Sequence, residues 1–172
     1  MDRHLFVLRH AKANELEPGV EDHDRTLSPR GVSDLAKLRR AVAEAAVPVT
    51  QVLCSTSVRT AATLEGIRPA LLPEAEVVVD RALYGAGRDE LLARIRQVDD
   101  GVAALLVIGH NPGVEELIIR VTGDGTAEAL DQLATKVPTG TLAELRFTGS
   151  WADLDRDTAM LASLRVPRRL PS

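Results

Sequence analysis

Short apolar runs alternate with longer amphipathic segments along the chain. Residues 5–8 read Leu-Phe-Val-Leu, and residues 103–108 read Ala-Ala-Leu-Leu-Val-Ile. Runs of four to six apolar residues that end abruptly in charged or turn-forming residues are typical of strands buried on both faces of a parallel sheet. Shorter runs at residues 49–53 and 77–79 predict two further strands between them.

Helical spacing of apolar residues marks the segments between these runs. Ser28 and Pro29 are typical of an N-cap and a first helical turn, and they predict a helix that ends before Pro48. Its apolar stripe is formed by Leu35, Leu38, Val42 and Ala45. Further helices are predicted from the cap at residues 55–57 towards Pro69, at residues 88–98, and at residues 114–121, the last ended by Gly123.

Strands that alternate with helices predict an α/β fold, a three-layer sandwich with a mostly parallel central sheet. Residues 142–147 alternate like a strand, and residues 159–166 are expected to form an edge strand. The length of 172 residues is most simply one domain, residues 1–172, with a tail from about 167 that is expected to fray.

Composition narrows the function classes. Aromatic residues make up 2% of the chain and the net charge is −4, so neither a base-stacking surface nor a general polyanion-binding surface is expected, and nucleic acid is excluded as a partner. No apolar stretch approaches the roughly twenty residues of a membrane-spanning helix. One cysteine excludes an internal disulfide framework, and the first strand begins almost at Met1, so we expect a cytoplasmic protein.

Charged residues follow two of the predicted strands directly. Arg9 and His10 end the first run, and His110 follows the fourth strand. The carboxyl ends of parallel strands meet at one rim, where ligands of such sheets bind. Two imidazoles and a guanidinium at one rim suit a dianionic phosphoryl group, and the long polar loop at residues 11–29 begins beside them.

Each of these residues has a chemical role that fits phosphoryl transfer. A neutral imidazole is a competent nucleophile near neutral pH, so His10 is the candidate nucleophile, with a backbone carbonyl in the following loop expected to hold the proton on its other nitrogen. Arg9 and Arg59 are candidate phosphate clamps, and His110 would donate to an equatorial oxygen of a loose transition state. Taken singly, Arg59 could be a solvated helix residue and His110 a turn residue.

Four segments occur together in an informative order: Leu-Arg-His-Ala-Lys-Ala at residues 8–13, Asp-Arg-Thr-Leu-Ser-Pro-Arg-Gly at 24–31, Ser-Thr-Ser-Val-Arg-Thr-Ala-Ala-Thr at 55–63 and Val-Ile-Gly-His-Asn-Pro at 107–112. With these segments the chain resembles the histidine phosphatase superfamily, and in detail its small SixA-type phosphohistidine phosphatase branch. The resemblance implies a phosphoglycerate mutase-like fold and a phosphorylated His10 surrounded by Arg9, Arg59 and His110. It also implies substrate contacts from Asn111, Asp24 and Arg25, the last two at the pocket mouth.

The chain departs from the wider superfamily in two places. Ala11 stands where Gly is usual after the nucleophile, a change that keeps the residue small. No acid after the third strand has a clear role as proton donor, because Asp80, Asp89 and Glu90 are better explained as strand-end and helix-start acids.

The missing acid has a chemical meaning. An alkoxide needs a proton to leave a phosphate ester, whereas the imidazole of phosphohistidine can carry its own on the second ring nitrogen. Short connections leave no obvious capping insert over the pocket. The sequence therefore favours a phosphatase that acts on phosphohistidine borne by a protein.

Several alternatives stay open. A small phosphomonoester could be the substrate instead, since substrate choice would depend on residues 11–29 and 84–88. A cysteine-dependent phosphatase is disfavoured because Cys54 and Arg59 are separated by four residues instead of five, without a glycine. A silent phosphate-binding scaffold need not keep both histidines.

Metals and cofactors are not expected. The four histidines show no paired ligand spacing, no acidic cluster suggests a two-metal phosphatase, and no nucleotide-binding loop is present; the histidines are His4, His10, His23 and His110.

Overall fold

A computed structural model describes residues 1–45 and 47–169 of the chain. Seven strands form one sheet in the order β3-β2-β4-β1-β6-β7-β5. The strands are β1 Asp2–Arg9, β2 Gln51–Ser55, β3 Glu76–Asp80, β4 Ala104–Gly109, β5 Thr122–Gly125, β6 Leu142–Thr148 and β7 Ala159–Arg165.

The sheet is mostly parallel, as the sequence predicts. Among the described residues, β6 is the one strand that runs against its two neighbours, β1 and β7, and the remaining pairings are parallel. Parallel strands need crossover connections, and helices supply most of them here. The α/β sandwich expected from the sequence is confirmed.

Five helices cover the two faces of the sheet. They are α1 Pro29–Ala43, α2 Val58–Ile67, α3 Arg88–Ile95, α4 Gly113–Val121 and α5 Ala127–Leu133. Ser28 and Ser57 cap α1 and α2, because their side chains accept hydrogen bonds from the amides of Gly31 and Thr60. Element boundaries differ from the predicted ones by a few residues.

Side chains of β4 show how the core divides into two layers. Leu105 and Val107 belong to the apolar cluster that contains α3 and α4, whereas Leu106 and Ile108 belong to the cluster that contains α1 and α2. All four are fully buried. Burial of each such side chain contributes about 1.5–3 kcal/mol, so both faces hold the strand in one register.

This register sets the position of the polar residues beyond the strands. β1 and β4 pair in parallel with Arg9 opposite Gly109, and the His10 amide donates to the Gly109 carbonyl at 3.1 Å. His10 and His110 therefore leave the sheet side by side at the same rim.

The structure differs from the prediction in three elements of the C-terminal third. β7 is not an edge strand, because β5 pairs with it in parallel and forms the edge. β5 has the sequence Thr-Gly-Asp-Gly, which carries no apolar signal, and the sequence indicated only a helix end at Gly123. A side chain at Gly123 would lie 2.2 Å from the Asp157 carbonyl, so glycine permits the close backbone approach that this edge requires. Helix α5 was also not predicted.

The loop after β1 and the chain end contain further local structure. Residues Asp22–Asp24 form a 3-10 helix, and Ala13 makes an isolated bridge with Leu27. Pro167–Arg169 form a 3-10 turn, and the rest of the expected tail, residues 170–172, lies outside the described residues, so the fraying of the tail stays a prediction. None of the described helices has the length and apolarity needed to cross a lipid bilayer.

Candidate active site

A polar cavity of about 370 Å³ opens at the carboxyl rim of the sheet. Its lining is formed by Arg9, His10, Lys12, Ala13, Glu15, Asp22, Arg25, Arg59, His110, Asn111 and Thr139. The structure thus brings together all the site residues expected from the sequence except Asp24.

His10 lies buried in this cavity with one ring nitrogen held by the backbone. His10 is 8% exposed, and its Nδ1 lies 2.7 Å from the Ala11 carbonyl oxygen. A carbonyl can only accept, so the proton resides on Nδ1 and Nε2 keeps its lone pair, which accepts from Arg59 Nε. Burial, aided by the positive charge of Arg59, lowers the pKa of His10 to about 4, although the bond to Ala11 opposes the shift. His10 is therefore neutral at pH 7 and able to act as a nucleophile.

Arg59 is the second residue of α2, and its guanidinium has two occupied edges. Nε donates to His10 Nε2 at 3.3 Å, and Nη2 donates to His110 Nδ1 at 3.3 Å. On the other edge, Nη1 donates to the Asp22 carbonyl at 2.5 Å and Nη2 to its carboxylate at 2.9 Å. One edge thus faces the two histidines while the other is fixed by the loop after β1.

His110 lies between β4 and α4, with its ring centroid 5.2 Å from that of His10. Burial lowers the pKa of His110 to about 3, with further contributions from His10 and Arg59. Its Nε2 lies 2.8 Å from the hydroxyl of Ser55. Because Arg59 can only donate, Nδ1 is the acceptor in this structure, and the His110 proton resides on Nε2, which donates to Ser55. Where a phosphoryl oxygen takes the place of the Arg59 contact, the opposite tautomer, with the Ser55 hydroxyl donating to Nε2, puts the proton on Nδ1, from which it can donate to that oxygen.

Two cavity residues keep polar atoms available. Arg9 donates from Nη1 to the Val137 carbonyl at 2.8 Å, while its buried Nε has no partner within the described residues. Asn111 donates to Val137 and Glu115, and its buried Oδ1 likewise has no partner there. Burial lowers the pKa of the Arg9 guanidinium, but arginine remains charged at any relevant pH.

The segment before β6 forms a wall that sequence reasoning missed. The Gly140 amide donates to the carbonyls of both Arg9 and His10, at 3.0 and 2.9 Å. Gly140 has φ of +76°, a conformation that glycine adopts without strain. Thr139 lines the cavity beside it. Because this segment has no apolar pattern, no sequence signal pointed to it.

Asp22 is a second residue that sequence reasoning missed. Its carboxylate accepts from Arg59, from Arg25 at 2.9 Å and from the Tyr84 hydroxyl at 2.6 Å. The Tyr84 hydrogen bond, followed by that of Arg25, holds the pKa of Asp22 well below its usual range. Asp24, which the sequence favoured, is exposed and contacts His23 instead. Successive residues of a 3-10 helix lie about 120° apart, so Asp22 can face the cavity while Asp24 does not.

The remaining acids and the cysteine have other partners. Asp80 accepts from the Ala82 amide and pairs with Arg94. Asp89 pairs with Arg88, and Glu90 accepts from the Gly87 amide at the start of α3. These contacts agree with the structural explanation of the three acids.

Cys54 is fully buried in the core formed with α1 and α2. Burial raises the pKa of its thiol to about 12, so it is protonated at neutral pH, which argues against a cysteine nucleophile.

Comparisons with known proteins identify the family. A scan against models of protein families gives no match. The chain is 39% identical over 167 residues to an uncharacterized protein of Mycobacterium tuberculosis, covering 94% of this chain and 100% of the relative. Among solved structures, a candidate phosphohistidine phosphatase SixA from Nakamurella multipartitia has a TM-score of 0.84 and 32% identity over 97% of both chains. The chain belongs to the SixA branch of the histidine phosphatase superfamily.

A second SixA structure agrees. The candidate phosphohistidine phosphatase SixA from Agrobacterium tumefaciens has a TM-score of 0.79 and 25% identity, and it covers 96% of this chain and 99% of its own. This SixA-branch protein is accordingly a phosphatase, an enzyme of the hydrolase class. Within residues 1–45 and 47–169, no group of three or more His, Cys, Asp or Glu side chains is placed to hold a metal ion.

Proposed function

We propose that this SixA-branch protein dephosphorylates phosphohistidine on a protein through a covalent phosphohistidine intermediate on His10. The observation that carries the proposal is the unprotonated Nε2 of His10, whose lone pair accepts a hydrogen bond from Arg59 Nε in a buried polar cavity. A phosphoryl group between them would be contacted by Arg59 and Arg9, and a proton from His110 Nδ1 would stabilise its equatorial charge.

The reaction needs two displacements at phosphorus. In the first, the Nε2 lone pair of His10 forms a bond to phosphorus while the bond to the substrate nitrogen breaks, and its electron pair stays on that nitrogen. In the second, water attacks phosphorus, the bond to Nε2 breaks with its electron pair returning to Nε2, and both water protons remain with the released phosphate as dihydrogen phosphate. His10 then returns to its neutral state.

The acids of the site support a nitrogen leaving group. Asp22 is ionised at neutral pH and cannot protonate an alkoxide, while Asp80, Asp89 and Glu90 are engaged outside the cavity. Glu15, the other acid of the cavity lining, is exposed to solvent, unlike the buried His10 and Arg59. A protonated phosphoimidazole leaves as neutral imidazole without help from an acid. This is the reason to place phosphohistidine ahead of a small phosphomonoester.

The test is phosphate release from a phosphohistidine-bearing protein without added metal, comparing wild type with His10→Ala. We expect release by the wild type and a loss of at least about a thousandfold in the variant, since the nucleophile is gone. Cys54→Ser is the matched control, and it should keep turnover within about threefold because the thiol has no role in this reaction.

Three results would contradict the proposal. Equal release by wild type and His10→Ala would exclude His10 as nucleophile. No release by either, together with turnover of small phosphomonoesters, would identify a metabolite phosphatase. Loss of turnover in a folded Cys54→Ser variant would favour the cysteine mechanism. The cytoplasmic location also stays a prediction, which cell fractionation tests.

A further inference from the structure

The Asp22 carboxylate lies at the mouth of the cavity. Its side chain is 45% exposed, whereas that of Arg59 is 6% exposed and His10 is buried. In an in-line displacement, the leaving group departs on the side of phosphorus opposite the nucleophile. The group that leaves from a phosphoryl bound above His10 therefore moves towards the mouth, past Asp22.

This carboxylate has room for one more hydrogen bond. A carboxylate offers about four acceptor positions. Three are used, by the hydroxyl of Tyr84 and by the guanidinium groups of Arg25 and Arg59. A substrate N–H at the mouth can take the fourth.

The other groups that face Asp22 are cations or neutral donors at neutral pH, apart from one acid. The loop after β1 contributes Arg25, Lys12 and Glu15, helix α2 contributes Arg59, and the segment after β3 contributes Tyr84. The buried part of the cavity contains Arg9, His10 and His110. The cations among these groups attract the phosphoryl dianion, but they cannot pair with a positively charged leaving group. Only the carboxylates can pair with it.

We propose that Asp22 selects substrates in which phosphorus is bonded to a protonated, cationic nitrogen carrier, and that it thereby sets the preference for phosphorus–nitrogen bonds over phosphate esters. The proposal rests on the proposed function and extends it to the class of leaving group. Asp22 accepts a hydrogen bond from the cationic N–H of the bound substrate and keeps that proton in place. When the phosphorus–nitrogen bond breaks, its electron pair stays on the nitrogen, and the carrier leaves as a neutral amine or imidazole.

An ester substrate gains nothing from the same carboxylate. The oxygen of an aryl phosphate develops negative charge as it leaves, and an ionised Asp22 repels that charge. Asp22 therefore raises the ratio of activity on phosphorus–nitrogen substrates to activity on phosphate esters.

The experiment compares two small substrates, phosphoramidate, whose nitrogen is protonated at neutral pH, and p-nitrophenyl phosphate. The variants are Asp22→Asn, which removes the charge and keeps an acceptor for Arg59, and Glu21→Gln, which removes a charge from the adjacent exposed position. We expect the ratio of kcat/KM values, phosphoramidate over ester, to fall about tenfold in Asp22→Asn and to stay unchanged in Glu21→Gln. Asp22→Glu, which keeps the charge, should retain most of the preference.

The pH profile distinguishes a contact with substrate from a structural role. Activity on phosphoramidate falls at high pH as its nitrogen loses the proton. Because Asp22 stabilises the bound cation, this fall in kcat should shift to lower pH in Asp22→Asn. If Asp22 only positioned Arg59, the pH at which kcat falls would be the same in wild type and Asp22→Asn.

Two outcomes would overturn the proposal. A large and equal loss of both activities would show that Asp22 acts through Arg59, and two nearly unchanged activities would show that the leaving group does not approach Asp22. The proposed function fails in a different way: wild type would then release phosphate from the ester but not from phosphoramidate or a phosphohistidine-bearing protein, whatever the variants do.

Discussion

Burial sets the protonation state of the two histidines in the cavity. The pKa values of His10 and His110 are lowered to about 4 and about 3, chiefly because the charged forms lose hydration. In both cases neighbouring Arg59 adds to the shift. Burial thus keeps the nucleophile unprotonated at neutral pH, and it lowers the free energy of unfolding in acid.

The lowered pKa of His10 predicts a loss of stability as the pH falls. In the unfolded chain a histidine takes up a proton near pH 6.5, whereas the folded protein resists uptake until about pH 4. The free energy of unfolding from this group therefore declines between pH 6.5 and 4, by about 2 kcal/mol at pH 5 relative to pH 7.

Urea unfolding at pH 7 and pH 5 measures this effect. His10→Gln cannot titrate, so its stability should depend less on pH than that of the wild type, and His110→Gln should behave in the same way. Identical pH dependence in wild type and both variants would show that neither histidine carries the effect.

At the level of elements, the loop after β1 is held against the start of α1 by close backbone contact. The Lys12 carbonyl accepts from both the amide and the hydroxyl of Ser28, and a Cβ at Gly31 would lie 2.0 Å from the same oxygen. Lys12 and other residues of the loop line the cavity. The packing of α1 therefore determines the position of one wall of the site.

Gly31→Ala tests this connection. Helix propensity alone would stabilise the variant by about 1 kcal/mol. The clash of the new methyl group with the Lys12 carbonyl is larger, so we expect the free energy of unfolding to fall by about 2 kcal/mol. Inorganic phosphate should also inhibit the variant more weakly, because the loop is displaced. Urea unfolding and the inhibition constant for phosphate are the measurements.

The control is Val32→Ala at the next position of α1, where the side chain is 56% exposed. It should change stability by no more than about 0.5 kcal/mol. A stabilised Gly31→Ala variant with unchanged phosphate inhibition would mean that the loop adjusts freely.

The same elements show what the sequence can predict. β1 and β4 were predictable because runs of fully buried apolar residues end in turn residues, and their parallel order places His10 and His110 at one rim. β5 was not, because an edge strand of Thr, Gly and Asp is held by backbone hydrogen bonds and has no side-chain pattern.

Within the site, motif residues such as Arg59 were predictable, whereas loop residues were not. The choice between Asp22 and Asp24 depends on the direction in which a single 3-10 turn faces. The wall at Gly140 depends on backbone amides, which every residue except proline carries.

At the scale of the whole molecule, one end of the sheet carries the cavity and the other end is held by structural contacts. The rim at the amino end of β1 is closed by Arg3, which is 3% exposed and donates to the carbonyls of Gly149, Asp100 and Val102. Its guanidinium also pairs with the Asp100 carboxylate and lies over the ring of Trp151. These contacts join two connections, that between α3 and β4 and that between β6 and β7, at the end of the sheet away from the cavity.

Arg3→Met separates stability from catalysis. The variant leaves several carbonyls without a donor, so it should lower the free energy of unfolding by about 3 kcal/mol. Under conditions where it is fully folded, kcat/KM should stay within about twofold of wild type. A large loss of kcat/KM in the folded variant would show that the two ends of the sheet are coupled.

The central position of β1 has a consequence for the order in which the protein becomes functional during synthesis. β1 is made first, but its two neighbours in the sheet come from far along the chain, with His4 opposite Ala104 and Asp2 opposite Thr148. Gly140, which fixes the backbone at His10, is also made late. A chain emerging from the ribosome therefore carries its nucleophile before the strands that flank β1 exist, and the site is complete only after β4, Gly140 and β6 have been translated.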